Sequence, residues 1–370
     1  MKWTQQYMHN ILLRCQIDTM QNGMRFVACA LMFFIGAGCD DTHFNLNRNV
    51  ELLLQTPASF QTGFVFESIG PDELAGAEAA TSITFLTERN AAYVQFVVPW
   101  YQEMYYHHDL APSPEKTPTD AALIEAIRVA RSVGLKIFLT PRIEVENAHR
   151  MLIDPWEVDD WFEDYTKFIL HYAEIAADKH VEMLSIGSVM PGVSRHAEHW
   201  RTLIEKVRAE YHGDITYGAN WDEYQLVEFW DALDYIGLEA FFPLTSNYDP
   251  TYEDLMRGWA KWMWHMHRYF DAQKRPVIIT GVGFASQDGT NMQPAETWIS
   301  GRVDLDEQTL CYKSFFESFI GYPWLYGIYM HGWNAKLIGG AEDMSHTPRH
   351  KPADSFVTDY FGALNSYAGE

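Results

Sequence analysis

Residues 119–140 read TDAALIEAIRVARSVGLKIFLT, and the change of periodicity inside this stretch sets the architecture. Thr119 and Asp120 open a run in which Leu123, Ile124, Ile127 and Ala130 recur at helical spacing, which gathers apolar side chains on one face. Gly134 closes the helix, because glycine readily takes the left-handed conformation that a helix end requires. A short β-rich run, LKIFLT, follows at once. A helix leading directly into such a run is half of a crossover unit, and repetition of the unit implies parallel strands.

The unit does repeat. Outward from 135–140, similar runs occur at 63–67, 92–98, 183–187, 215–219, 235–240, 277–280 and 325–330. Helical patterns lie between them at 160–177, 198–211, 252–270 and 304–319, the first with Trp161, Phe162, Tyr165, Phe168 and Ile169 on one stripe. An open doubly wound sheet would also alternate, but it should carry a glycine-rich phosphate loop after its first strand. Here the first strand is followed only by Ser68-Ile69-Gly70-Pro71. Eight strands in 370 residues therefore predict an α/β fold, a single (β/α)8 TIM barrel over residues 56–370.

The residues before the barrel differ in kind. From Phe26 to Gly38 the chain is apolar or small throughout, with Arg25 before it and Cys39, Asp40 and Asp41 after it. About a dozen such residues fall short of the ~20 that span a bilayer, and they match the hydrophobic region of a secretory signal. Ile35-Gly36-Ala37-Gly38-Cys39 looks like a bacterial lipobox, although Gly36 stands where leucine is usual. The expectation is a signal at 1–38, lipidation of Cys39, a linker at 39–55, and export to the bacterial cell envelope with the lipid as the sole membrane attachment. Processing would remove Cys15 and Cys29, and acylation of Cys39 would leave Cys311 without a partner for a disulfide.

Composition narrows the function. With 50 acidic against 27 basic residues the formal charge is −23, and no cluster of Lys and Arg exists to displace counterions from a nucleic acid. At 47% hydrophobic the chain has ample material for a core. No cysteine pair has zinc spacing, His107-His108-Asp109 reads as a solvated loop, and Trp259, Trp262, Trp264, His265 and His267 read as an outer packing face of one helix. No cofactor or metal is expected.

In a barrel, chemistry gathers at the carboxyl ends of the strands. Those positions hold Glu67 and Ser68; Trp100, Tyr101 and Gln102; Pro141, Arg142 and Glu144; Ser188 and Val189; Asn220 and Trp221; Glu239, Phe241 and Phe242; Gly281 and Phe284; His331 and Trp333. Aromatic rings stack on the apolar faces of sugars while Arg, Asn and His bond their hydroxyls, so the set predicts a carbohydrate cleft. The substrate-binding residues expected are Trp100, Tyr101, Arg142, Asn220, Trp221, Glu239, Phe242, His331 and Trp333.

Six stretches, in order, carry a family resemblance: 111–119 (APSPEKTPT), 135–145 (LKIFLTPRIEV), 215–224 (ITYGANWDEY), 229–244 (FWDALDYIGLEAFFPL), 276–289 (PVIITGVGFASQDG) and 346–353 (HTPRHKPA). The chain from about Phe60 to about Leu364 resembles glycoside hydrolase family 113, the beta-mannanases of a retaining TIM-barrel clan. The resemblance implies a proton-donating Glu after strand four and a nucleophilic Glu after strand seven, with carboxyls about 5–5.5 Å apart. Where the family has Gly-Ser/Thr-Glu this chain reads Gly187-Ser188-Val189, and where it has Thr-Glu-Val-Gly this chain reads Thr280-Gly281-Val282-Gly283.

Neither valine nor glycine donates a proton or forms a glycosyl ester. The expectation is thus a pseudo-glycosidase without catalytic residues, which binds a β-linked polysaccharide or oligosaccharide or scaffolds envelope proteins. The alternative is a working mannanase-like hydrolase or transglycosidase that uses displaced carboxylates such as Glu239.

Overall fold

The computed structural model describes residues 55–367, and in it the eight strands close on themselves in sequence order. They are β1 (Gln61–Glu67), β2 (Tyr93–Gln102), β3 (Lys136–Val145), β4 (Met183–Ser188), β5 (Asp214–Asn220), β6 (Ile236–Glu239), β7 (Val277–Val282) and β8 (Leu325–Asn334). All neighbouring pairs are parallel, including β1 with β8. All eight expected strands are present. β2, β3 and β8 run several residues beyond the predicted ends because their last residues pair outward to form the rim.

The connecting helices are α1 (Ala77–Thr87), α2 (Asp120–Ser132), α3 (Val158–Asp178), α4 (Ala197–Glu210), α5 (Tyr252–Gln273), α6 (Leu305–Phe319) and α7 (Pro352–Tyr367). A one-turn helix, Pro191–Ser194, precedes α4, and the β5–β6 crossover holds only the short turn Trp230–Ala232. Their ends obey local chemistry. The Thr119 hydroxyl accepts the Ala122 N–H at 3.2 Å, and Gly134 takes φ +87° beyond the end of α2. Thr251 and Asp254 form a reciprocal capping box at the start of α5.

Two layers of core hold the barrel. Between strands and helices lies a continuous apolar shell that includes Trp161, Trp200, Trp259 and Phe315, all fully buried. Inside the barrel, Val65, Val97, Phe138, Met183, Ile278 and Tyr329 fill the lower interior. Above that plug, towards the carboxyl ends of the strands, the interior opens into a cavity. Trp264 on α5 departs from the expected packing face: it is 62% exposed, whereas Trp259 and Trp262 pack inward. The expected signal and Cys39 lie outside the described residues. No helix among the described residues is long and apolar enough to cross a membrane.

Candidate active-site cleft

The carboxyl ends of the strands surround a cavity of about 600 Å³. Strand alternation builds its walls, since inward positions recur every second residue. Val65 and Glu67, Gln95 and Val97, and Thr140 and Arg142 are such pairs, and all six line the cavity.

The floor is set by register. Asn220 of β5, Glu239 of β6 and Gly281 of β7 are aligned across three neighbouring strands, and Ser188 of β4 stands opposite Gly218 of β5. The Ser188 hydroxyl donates to Glu239 Oε1 at 2.7 Å. A Cβ added at Gly218 or at Gly281 would lie 3.6 Å from a Glu239 oxygen, so both bare backbones border this carboxylate at ordinary contact distance. The buried Thr280 hydroxyl has no hydrogen-bond partner among the described residues and borders the same floor.

Val189 completes the floor in an unusual conformation. Its φ is +53°, and its N–H donates to the Gly218 carbonyl at 2.8 Å. Among the described residues, the other non-glycine residues with positive φ are Asn90, His180, Lys274 and His350, none of them β-branched. For a side chain branched at Cβ the left-handed region costs roughly 1–2 kcal/mol, so the surrounding structure holds Val189 against its own preference.

One wall is charged but internally balanced. Arg142 pairs with Glu67 at 2.7 Å and with Glu144 at 2.6 Å, and Arg150 approaches Glu144 at 3.5 Å. His331 Nε2 stands 3.9 Å from Glu67. Burial by itself would raise the Glu67 pKa, but the Arg142 guanidinium, with His331, outweighs burial and holds the carboxyl at about 2. Glu67 is therefore ionised at neutral pH and has no proton to give. Beside it, burial and the neighbouring His331 push His346 down to about 4, so its ring is neutral and its Nε2–H donates to the Pro294 carbonyl at 2.7 Å. Pro294 begins the segment whose next three residues, Ala295, Glu296 and Thr297, form the opposite wall.

Of the binding residues expected from sequence, Arg142, Asn220, Trp221, Glu239 and His331 line the cavity, as do Val189 and Gly281. Four others do not. Trp100 lies on the outward parity of β2, packs on Phe168 at 4.9 Å and donates its indole N–H to the Tyr172 hydroxyl at 2.9 Å. It borders a separate groove of about 370 Å³ with Pro112, Pro114 and His171. Tyr101 sits under the Lys116 ammonium, 4.8 Å from its ring centre, on the outer rim. Phe242 is wholly buried against Trp259 and Trp262.

Trp333 is displaced by a bulge. Phe64 pairs with Met330 but Phe66 pairs with Trp333, so β8 carries one extra residue there. An added residue inverts the alternation. His331 keeps the inward parity of Tyr329, while beyond the bulge Trp333 turns outward, is 1% exposed, and donates its N–H to the Ser82 carbonyl.

The cavity also includes residues that sequence reasoning did not select. Thr140 and Gln95 follow from alternation alone, since Thr140 lies two positions before Arg142 and Gln95 two before the inward Val97. His149, Arg150, Met151 and the 295–297 segment come from loops, whose paths carry no periodic signal. Sequence also treated His107, His108 and Asp109 as one loop. The three do lie in a loop, and the structure adds a contact from His108 to Asp164 of α3 at 3.1 Å, so that His108, Asp109 and Asp164 hold donor atoms within 4.8 Å of one another. Asp109 is largely exposed, and the ion pair accounts for the grouping.

A closed parallel barrel with a polar, aromatic-edged cleft at its carboxyl end has the architecture of the TIM-barrel glycoside hydrolases. The model of Glycoside Hydrolase Family 113 matches residues 64–348, and the chain belongs to that family. Among solved structures, a GH113 beta-mannanase from Alicyclobacillus acidocaldarius in complex with ManMIm superposes with a TM-score of 0.76 at 27% identity, over 82% of this chain and 98% of that one. A GH113 beta-1,4-mannanase complex gives 0.75 at 25% identity, over 82% and 99%. The endo-1,4-beta-D-mannanase of Thermotoga petrophila RKU-1, at 9% identity and a TM-score of 0.55, shares the fold. Comparison with curated proteins finds no match.

Proposed function

We propose that this protein is an exported, lipid-anchored member of the family that binds a β-mannan-type polysaccharide in the cleft without hydrolysing it. One observation carries the reading. The two floor positions at which the family resemblance sets the proton donor and the nucleophile are Val189 and Gly281, and neither bears a carboxyl.

The carboxylates that do line the cleft are Glu67, Asp222, Glu239 and Glu296. Glu67 is committed to Arg142 and ionised, Glu239 accepts from Ser188, and Asp222 accepts from the Asn220 amide at 2.6 Å. Cleavage by a carboxyl pair needs one protonated group and one free base or nucleophile on opposite sides of the sugar. Glu223 has a pKa raised by burial, the property a proton donor needs, but it does not line the cleft. Its carboxylate accepts from the Tyr217 hydroxyl at 2.7 Å and the Asn220 N–H at 3.0 Å.

The remaining cleft is suited to a neutral polymer. Arg142 and Arg150 offset Glu67 and Glu144, Asn220 and His331 offer hydrogen bonds, and Trp221 and Phe241 offer ring surfaces. Ala295, Glu296 and Thr297 add the second wall and His331 of β8 the first, so the site draws on both halves of the barrel.

The test is calorimetry and reducing-end analysis on the full chain with manno-oligosaccharides and mannan, beside a Val189→Glu/Gly281→Glu variant. Binding without product by the natural chain, with hydrolysis gained by the double variant, supports the reading. Hydrolysis by the natural chain that is lost in Glu239→Gln overturns it in favour of displaced carboxylates. For the anchor, Cys39→Ser should move the protein from the membrane to the soluble fraction.

A further inference from the structure

The wall formed by the β7–α6 connection carries one side chain that the cleft itself does not use. Trp298 directly follows the cleft-lining Ala295, Glu296 and Thr297, and it is 69% exposed. An indole left in water forgoes a large apolar burial. A loose loop would be expected to fold it away, yet this segment is firmly held.

The hold comes from a wholly buried glutamine. Gln287 donates its amide N–H to the Thr297 carbonyl at 3.0 Å, and its amide oxygen accepts the Ile299 N–H at 3.0 Å. The peptides on both sides of Trp298 are thus fixed by one side chain. Gly301, at φ +69°, adds a steric condition: a Cβ there would stand 2.8 Å from the indole Cζ2. The ring therefore rests against bare backbone while most of its surface meets solvent. Glu296, two residues before Trp298, lines the same cavity as His149 and Arg150.

From this geometry we propose that Trp298 is a preformed stacking platform for a sugar residue of a chain that continues out of the cleft. The ligand is then an extended β-linked polysaccharide and not a short oligosaccharide alone. This inference rests on the polysaccharide-binding reading and specifies the substrate of that site. Stacking on a fixed ring is favourable because the aromatic side chain loses no freedom when the sugar arrives.

Isothermal calorimetry with the full chain and manno-oligosaccharides of two to six residues provides the test. Affinity should rise with length in the natural protein, and Trp298→Ala should lose about tenfold for the longest ligand while binding the shortest unchanged. Trp298→Phe should recover most of the difference. Trp264→Ala, which removes an exposed tryptophan from the outer face of α5, should change nothing. Equal affinity of Trp298→Ala for the longest ligand would overturn the platform alone, as would a parallel loss for every length. Absence of binding at any length by the natural protein would overturn the polysaccharide reading and the platform with it.

Discussion

His346 should make the barrel acid-sensitive in a defined window. Its ring is buried and neutral, with a pKa lowered from 6.5 to about 4, while an unfolded chain would protonate it at its ordinary value. Between those values the unfolded state binds more protons, so stability falls as pH falls from about 6.5 towards 4 and levels off below. Applied to pH 5.0 against pH 7.5, the linkage relation gives a loss of about 2 kcal/mol from this one group. Glu67 adds little at pH 5, because its stabilising contribution is present above 4.5 and is lost only as pH falls towards 2. The replacement His346→Gln retains an N–H for the Pro294 carbonyl but cannot titrate. Urea denaturation of both proteins at the two pH values should show the natural chain losing about 2 kcal/mol more than the variant on acidification. Titratable groups remote from the ring are common to the two proteins and cancel in that difference. Equal losses would refute the assignment of a neutral buried ring. Ligand affinity of the folded protein should stay level across that window, because the folded ring stays neutral until the pH approaches 4.

Glu67→Gln deprives the Arg142 guanidinium of one anion while leaving Glu144, so unfolding at pH 7 should become easier by about 1–3 kcal/mol, and the variant and natural protein should converge near pH 2. Denaturation midpoints across pH would reveal it. Gly281→Ala should be tolerated or slightly stabilising, by up to about 1 kcal/mol, because its Cβ meets nothing closer than 3.6 Å. Gly237→Ala should instead destabilise clearly, since its Cβ would fall 2.4 Å from the Tyr217 carbonyl oxygen. Thermal melts of the pair would separate an open floor from a crowded one.

The strands were legible because each announces itself locally. A run such as LKIFLT between Gly134 and a strand-end arginine leaves little else for those residues to form. Arg142, Asn220, Glu239 and His331 followed from their strand-end positions. The four displaced aromatics show where that reasoning stops: strand-end position says that a residue is near the rim, while parity says which way it points. Trp100 has the wrong parity within a regular strand. Trp333 has been inverted by a bulge, which is a property of the β1–β8 pairing and not of either strand alone. The loop that carries Glu296 is held by Gln287 through Thr297 and by His346 through Pro294, 52 residues away, contacts that no local periodicity announces.

The open direction at Gly281 and the left-handed turn at Val189 have a genetic consequence. A single base change separates some valine codons, and some glycine codons, from those of glutamate. The strand register and the turn that would carry two carboxylates are already built, so placing them there requires no insertion, deletion or remodelled loop. Under the proposed function, a population selected for growth on mannan would therefore have a short mutational path to cleavage, and sequencing its variants would show whether those two codons are where change arises.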